Sequence, residues 1–452
     1  MARQRPQKEH KPVRFGQIFL RYRNSMAAIR EFSAQLSPLV ASLQAGKQEE
    51  HRRKTRQLMD DFRRKASPQA TQDVDAFMNT LERATQQKKP GKEPGTLQTV
   101  EASILISRLL HLVSGTPEPS IHRDLLNNSI LACLVGYFEV LVAELAHAFY
   151  RIVPASASNG ERGITVNELQ MFQSIDEAVE FVASKAVDDL LRKDLDDWTQ
   201  FFATRMTVNL QELVPQWNQW GEMFQRRHLM LHAGGTVNRR YLAKVHWDGI
   251  AWPKKQPAIG VQLLVEDGYI NLALDLFEIA GILLCQSVWK KLRTEDASLR
   301  LSAAPGHGLI DTIYCQLLKR QWYVAEHLSA WGMKDSDATE EQSLICRFNY
   351  WLAAKRQGRW NEIAEAVQSF DRSAKHPRFS LASASLRERP EEFFRPDLIA
   401  ASGLDVDDLR EWPIFDEMRA DPRFAEALAK IGAQEEQTGG AQTAPPPSEP
   451  ES

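Results

Sequence analysis

Apolar residues recur at the three- and four-residue spacing of α-helices along most of the chain. Residues 13–87 predict two or three charged helices, and residues 96–114 predict one amphipathic helix. The stretch 124–153 is apolar almost all round, which is typical of a helix at the centre of a bundle. Further helices are predicted at 174–203 and 269–292. The pattern therefore indicates an all-α protein with a helical bundle in its middle part.

A short β element is expected to interrupt this helical pattern. Residues 241–249 and 257–268 have alternating or β-branched character, and together they predict a small β-hairpin excursion from the bundle. The helix before them is expected to stop at Gly234 and Gly235, because glycine readily adopts the left-handed conformation that ends many helices. The middle of the chain thus predicts a helix, a glycine break, a hairpin and a last apolar helix.

The pattern changes after residues 304–308, where helix pairs of about 35–40 residues begin. A helix end, a basic turn and a second helix follow one another in 317–328, 353–367 and 385–398. This period predicts a C-terminal α-solenoid of the tetratricopeptide kind, a scaffold whose concave face usually binds a partner. We therefore expect a protein partner or trigger to bind the helical repeats.

These patterns divide the chain into a basic helical N-terminal region (1–95), a helical domain (97–293), a helical-repeat domain (305–432) and a tail (433–452) whose composition predicts disorder. The 452-residue chain has a formal net charge of only −3, yet region 1–95 holds 20 Lys and Arg against 10 Asp and Glu. A basic N-terminal region joined to an acidic remainder is typical of a chain that binds RNA, or of one whose basic region binds another part of the same molecule. The charged run at 51–65 is also typical of a solvated helix face or a coiled coil.

Several protein classes are disfavoured by the sequence. The four cysteines lie in apolar helical stretches without Cys-x-x-Cys spacing, which predicts buried, reduced thiols in a reducing compartment. The N-terminus lacks an apolar signal core, and no uncharged apolar run is long enough for a membrane span. Phosphate-binding and dinucleotide-binding glycine motifs are absent from the sequence. We therefore expect a cytoplasmic protein without a cofactor and without a membrane partner.

Candidate chemistry is concentrated in the stretch RRHLMLH at 226–232. His228 and His232 are four residues apart, so both lie on one side of a helix. A zinc protease would need His-Glu-x-x-His, whereas the residues between these histidines are apolar, and a third ligand at a usual spacing is missing. No metal site is therefore predicted. Basic residues near the last turn also interact favourably with the helix dipole, which leaves open a structural role and a core position for His228.

The helix that carries this stretch has apolar residues on one stripe, so its basic groups are expected beside a buried surface; the stripe comprises Trp217, Trp220, Phe224 and Leu231. The basic stretch itself resembles the signature of the HEPN superfamily, helical-bundle domains of prokaryotic defence and toxin–antitoxin systems, whose motif is R-x(4–6)-H. Arg227 and His232 fit this motif with four intervening residues, and Arg226 fits with five.

The resemblance extends over residues 97–293. The segment GGTVNRRYL (234–242) is similar to the one that follows the motif in several HEPN families, where the chain leaves the helix for a short β element. The apolar stretch 127–146 resembles their long first helix, and Glu139 is similar to an acidic residue found there in some members. The R-x(4–6)-H spacing alone is common by chance. Its position after the long helix and before the glycine break makes the resemblance more specific.

The resemblance implies a metal-independent endoribonuclease. His232 would take a proton from a ribose 2′-hydroxyl or give one to the leaving 5′-oxygen, and Arg227 would hold the scissile phosphate. His228, Arg226 and Glu139 would support them. Arg227 and His232 are about 140° apart on a helix, which favours a site that a homodimer completes. The expected products are a 2′,3′-cyclic phosphate and a 5′-hydroxyl.

Two functional hypotheses remain open at this point. One is an RNA endonuclease of the toxin or abortive-infection type, and its confinement to defence rests on the resemblance alone. The other is a non-catalytic HEPN-like dimeric adaptor or sensor that recruits partners through its helical repeats. Both Arg227 and His232 are present in the motif, which favours the enzyme.

Overall fold

The computed structural model describes residues 15–65, parts of 67–75, residues 121–157, 168 and 172–292, and residues 308–431 except 374. The helix predicted at 96–114 and the disordered tail predicted at 433–452 lie outside these residues. The described part of the chain is mostly helical and contains no β-strand, which confirms the predicted all-α class.

The first helices along the chain are α1 (Phe15–Lys65), α2 (Ile121–Ile152), α3 (Ile175–Leu191), α4 (Leu195–Met206), α5 (Leu210–Leu213), α6 (Trp217–Ala233), α7 (Arg239–Lys244) and α8 (Asp267–Leu292). Residues 15–65 form the single helix α1 with Pro38 inside it, and the described residues between 68 and 75 are helical again, so one long helix covers most of the region where two or three were predicted. A lone proline removes one backbone hydrogen bond and does not end the helix here, because no cluster of turn-forming residues follows it.

The predicted β-hairpin at 241–249 and 257–268 is also wrong. Residues 239–244 form the helix α7 instead, whose start is capped by Asn238: its side-chain oxygen accepts a hydrogen bond of 2.9 Å from the backbone N–H of Tyr241. After α6, the N–H of Val237 donates to the carbonyl of Val261 and its carbonyl accepts from the N–H of Gly260, both at 2.9 Å. The Asn238 cap stabilises a helix in residues for which the alternating and β-branched pattern predicted a strand.

A cluster of aromatic rings forms the centre of the bundle. The ring of Phe138 on α2 lies 5.0 Å from Trp220 and 6.0 Å from Phe224, both on α6, and 5.9 Å from Phe277 on α8. Their mostly edge-to-face geometry is the favourable one for aromatic pairs. These contacts fix the orientation of α6, the helix that carries the basic stretch.

The start of α1 packs against α8. The buried Tyr22 hydroxyl donates a hydrogen bond of 2.6 Å to the carbonyl of Phe277. Gly281, one turn further along α8, faces the tyrosine ring so closely that a Cβ there would lie 1.9 Å from it. Glycine is therefore required at this position by close approach, not by its backbone conformation.

The described residues fall into two compact units. The first holds the start of α1, α2 from residue 134, α3 to α7, most of α8 and all later helices. The second takes residues within 28–133 and 262–270. Inside the second unit, the amide of Asn127 donates to the carbonyl of Val265 at 2.8 Å, and Arg123 pairs with Asp267 at 2.9 Å.

The C-terminal part consists of short helices, namely α9 (Leu309–Leu318), α10 (Trp322–Gly332), α11 (Glu340–Arg356), α12 (Trp360–Gln368), α13 (Pro377–Leu386), α14 (Pro390–Phe393), α15 (Pro396–Ala401), α16 (Val406–Glu411) and a last helix at 423–431. The turns that join α9 to α10, α11 to α12 and α13 to α14 share one geometry. Each has one residue with a positive φ, and these are Arg320 (58°), Gly358 (77°) and Glu388 (54°).

The backbone hydrogen bonds of the three turns also correspond. Gln321, Arg359 and Arg389 each donate from the residue after the positive-φ position to a carbonyl five residues earlier, at 2.9–3.1 Å. These turns lie in the three segments 317–328, 353–367 and 385–398, where the sequence predicts a helix end, a basic turn and a second helix. Each turn joins two consecutive helices, which gives three similar helix pairs. The assignment of these pairs to a tetratricopeptide-like solenoid stays a prediction.

The C-terminal helices contact the bundle directly. Gln316 on α9 donates a hydrogen bond of 2.7 Å to the buried carboxylate of Glu278 on α8. Lys290, near the end of α8, pairs with Asp335 and lies 4.9 Å from the centre of the Trp331 ring. Because α8 also packs against α6, the repeats and the candidate site share one connecting helix.

Two helices are long and apolar enough to cross a membrane by length and composition, α2 and α8. This is weak evidence for a membrane protein, because core helices of soluble proteins pass the same test. For α8, 78% of the apolar window is buried inside the protein, and for α2 the share is 50%. The apolar surface of α8 thus lies mostly in the core, whereas about half of the apolar window of α2 lies outside it.

All four cysteines are free thiols. Cys285 and Cys346 are buried, as the sequence predicts, and burial raises the pKa of Cys346 to about 12. Cys315 is partly buried, whereas Cys133 is exposed, so the prediction of a buried thiol is wrong at that position. The buried thiols stay protonated near neutral pH and are therefore poor nucleophiles.

Candidate active site

Helix α6 ends where the sequence predicts. Gly234 adopts the left-handed conformation with φ of 55°, and its N–H donates to the carbonyl of Leu229. Trp220 and Leu229 are buried on the core side of the helix, as expected for an apolar stripe. Leu231, which the sequence assigns to the same stripe, is 57% exposed, so the stripe ends before the last turn.

The N-terminal half of α6 carries a buried polar network. Arg226 donates from Nε to Glu222 at 2.8 Å, and their side chains are only 3% and 0% exposed. The hydroxyl of Tyr241 on α7 donates to the same carboxylate. Burial and this carboxylate raise the pKa of Tyr241, which keeps the phenol protonated as a donor. Arg226 therefore ties α7 to α6 from inside the protein.

Gln219 extends the network to the loop after α7. Its amide oxygen accepts hydrogen bonds from the backbone N–H groups of Ala251 at 3.0 Å and Trp252 at 2.8 Å. Its amide nitrogen donates to the carbonyl of Trp252 at 3.0 Å and to Glu222 at 3.2 Å. A fully used amide of this kind holds the loop rigidly against α6.

Arg227, the next residue, points away from this network. Its side chain is 29% exposed, and its guanidinium lies 3.7 Å from the carboxylate of Glu139 on α2. That distance is longer than a hydrogen bond, and Nε of Arg227 has no acceptor among the residues that the structure describes. Glu139 and Arg227 thus form a loose surface pair.

His228 and His232 stand next to Arg227 at the end of α6. Their ring centroids are 4.5 Å apart and the ring planes are tilted by 46°. His228 is partly buried and His232 is exposed. The two imidazoles form a single cluster on one face of the helix, in agreement with their four-residue spacing.

The surroundings of this cluster are positively charged. Arg239 and Arg240 on α7 are exposed, and neither has an ion-pair partner within the described part of the chain. Burial lowers the pKa of His228 first, and the charges of His232, Arg240 and Arg227 lower it further. At neutral pH His228 is therefore mainly uncharged, in a field that attracts anions.

This arrangement is suited to proton transfer next to a bound phosphate. An imidazole takes and gives protons near neutral pH, and a guanidinium holds a phosphate through paired donors. Across the described residues, no group of three or more His, Cys, Asp or Glu side chains could hold a metal ion. The side chains of the cluster are able to exchange protons and to bind an anion.

The sequence predicts that Arg227, His228, His232 and Glu139 belong to one site, together with Arg226. In the structure Arg227 lies near Glu139, the rings of His228 and His232 are in contact, and Arg226 belongs to the buried network. The Glu222–Arg226 pair had a signal in the sequence, because oppositely charged residues four apart face each other on a helix. The contacts of Tyr241 and Arg240 with α6 had no signal in the sequence, because they depend on the turn after Gly235.

Neither a family model, nor a curated protein, nor a solved structure matches this chain.

Proposed function

We propose that this chain is a metal-independent RNA endonuclease of the HEPN type that acts in the cytoplasm, as an effector of toxin or abortive-infection defence. The observation that supports it best is the cluster at the end of α6, where Arg227 and two histidines in ring contact lie beside each other at the surface. General acid–base catalysis and phosphate binding need these two side-chain types together.

Arg227 has the role of phosphate ligand in this proposal. Its present partner, Glu139, is 3.7 Å away, and surface pairs of this kind are worth only about 0–1 kcal/mol. An RNA phosphate offers a stronger, bidentate contact to the guanidinium. Glu139 would then orient Arg227 from behind when the phosphate is bound.

His232 has the role of proton-transfer group. The 2′-hydroxyl of the ribose attacks the neighbouring phosphorus, the bond from phosphorus to the 5′-oxygen breaks, and the leaving oxygen takes up a proton. The products carry a 2′,3′-cyclic phosphate and a 5′-hydroxyl. RNA that lacks the 2′-hydroxyl at the cleavage site, and DNA, are not cleaved.

A homodimer is part of the proposal. Residues five apart on a helix point about 140° away from each other, so Arg227 and His232 of one chain do not face one phosphate directly. A second copy brings a second arginine to the site. Exposed apolar side chains next to Glu139 on α2, Tyr137 (44%) and Val140 (49%), provide a surface of suitable character for the contact.

A non-catalytic adaptor is the second candidate. It is favoured by the three equivalent helix pairs after residue 308, because stacked helix pairs commonly bind protein partners. In the enzyme, the same helices are the proposed place for a protein partner that controls the nuclease.

Incubation of the purified protein with total cellular RNA in excess EDTA tests the proposal, with Arg227→Ala and His232→Ala beside it. We expect cleavage by the wild type only, with cyclic-phosphate ends. Cleavage that survives in both variants would mean that other residues perform the reaction. If none of the three chains cleaves RNA, and expression of the wild type is harmless to cells, the adaptor is the better description.

A further inference from the structure

We propose that His228 and His232 of one chain act as the general base and the general acid of the same cleavage step. This inference rests on the proposed ribonuclease activity and gives His228 a direct part in it. One chain then supplies both proton-transfer groups, and a partner subunit is not needed to provide a second histidine.

The geometry of the pair carries the inference. The two rings are 4.5 Å apart between centroids, so a substrate group that reaches one ring is also next to the other. Their four-residue spacing keeps both on one face of α6 for as long as the helix is intact. Gly234 ends the helix immediately afterwards, which leaves the pair open to solvent on one side.

The groups around His228 suit it to be the base. It faces His232 and Arg227 on its own helix and Arg240 from α7, and Arg227 lies 3.7 Å from the carboxylate of Glu139 on α2. Partial burial and the positive neighbours lower the pKa of His228. The imidazole is thus uncharged near neutral pH and is able to accept the proton of a 2′-hydroxyl.

The position of His232 suits it to be the acid. It is exposed and lies in the last turn of α6, where the helix dipole interacts favourably with a cationic side chain. In its protonated form it can deliver a proton to the departing 5′-oxygen. An exposed ring also exchanges protons with water readily between turnovers.

The protons and bonds balance in a single step. The 2′-hydroxyl proton moves to neutral His228 while the bond from the 2′-oxygen to phosphorus forms. The bond from phosphorus to the 5′-oxygen breaks, and that oxygen takes the proton of cationic His232. His228 ends the step protonated and His232 neutral, and exchange with water restores both.

The test compares the initial rates of RNA cleavage by the wild type, His228→Ala, His228→Gln and His232→Ala as a function of pH, with total cellular RNA in EDTA. His246→Ala is the control, because His246 is an exposed histidine outside the cluster. We expect a bell-shaped profile for the wild type. Its rising limb should lie below the ordinary histidine pKa of about 6.5, because the base must be neutral.

Either His228 variant should lower the rate by about 10²–10⁴-fold and abolish the rising limb, whereas His232→Ala should cause a similar loss of rate and leave the rising limb in place. Melting temperatures close to that of the wild type would show that the variants are folded. His228→Gln that cleaves at the wild-type rate with an unchanged profile would overturn this inference and leave the proposed ribonuclease standing. A wild type that cleaves no RNA would overturn both.

Co-expression of His228→Ala and His232→Ala chains tests whether one chain supplies both groups. If base and acid belong to the same chain, mixed dimers contain no intact pair and regain no activity. Recovery of activity in the mixture would show that the two histidines work across the dimer, which contradicts the inference.

Discussion

Arg226 and Arg227 are chemically identical neighbours with opposite environments. The Arg226 side chain is 3% exposed and bonded to a carboxylate at 2.8 Å, whereas the Arg227 side chain is 29% exposed and 3.7 Å from one. Consecutive residues on a helix point about 100° apart, so a basic pair on an amphipathic helix is divided between core and surface. Of the two, only Arg227 is accessible at the surface.

The same division applies to the two halves of α6. In its first half, Gln219, Glu222 and Arg226 use their polar atoms to hold α7 and the loop at 251–252. In its last turns, Arg227, His228 and His232 have few or no partners in the described part of the chain, and they stand among positive charges. The buried network thus supports the accessible basic end of the same helix.

The largest effect is expected on stability when the buried arginine is removed. Arg226→Ala leaves the Glu222 carboxylate buried without its counter-charge, which should lower the free energy of unfolding by about 3–5 kcal/mol. Urea denaturation followed by circular dichroism measures this change. The double variant Glu222→Gln with Arg226→Met is the control, because it removes both charges and should recover most of the loss.

If Arg226→Ala unfolds at the same urea concentration as the wild type, the contrast between the two arginines does not hold. A double variant that is as unstable as Arg226→Ala would show that shape, rather than charge pairing, is what Arg226 contributes.

A second effect is expected on activity when the surface arginine is removed. Arg227→Ala should lower the rate of RNA cleavage by about 10²–10³-fold, the usual cost of losing one donor to developing charge. Its free energy of unfolding should change by no more than about 0.5 kcal/mol, since it loses only a loose surface pair. Cleavage assays measure the rate and urea denaturation measures the free energy of unfolding, both on the same preparation.

Arg227→Lys sharpens this result, because lysine keeps the charge and lacks the planar fork of donors. A lysine variant with full activity would reduce the role of Arg227 to a positive charge. A large loss of stability in Arg227→Ala would place Arg227 with Arg226 as a structural residue.

The smallest effect is expected at Arg240, which adds charge next to the histidines without a partner among the described residues. Arg240→Ala in the His232→Ala background should reduce the salt dependence of single-stranded RNA binding by about 0.7 in the slope of log K against log salt. Fluorescence anisotropy at several salt concentrations measures it. Arg410→Ala, an exposed arginine on α16, is the control and should leave the slope unchanged.

Much of the fold follows from local signals in the sequence. The apolar pattern predicts α2 and α8, and the glycines at 234 and 235 predict the end of α6. The strand predicted at 241–249 was wrong because Asn238, a common helix-capping residue, starts a helix there despite the β-branched pattern. The positions of the site residues on α6 could be predicted, but their division between core and surface depends on Tyr241 and Glu139, which contact α6 from other helices.

The hydrogen bond from Tyr22 to the carbonyl of Phe277 joins residues 255 positions apart. At a synthesis rate of about 5–20 residues per second, roughly 10–50 s pass between the emergence of these two partners from a ribosome. During that interval the apolar face at the start of α1, with Phe15, Phe19 and Met26, has no surface of α8 to pack against. The contact between α1 and α8 can therefore form only after α8 has been made.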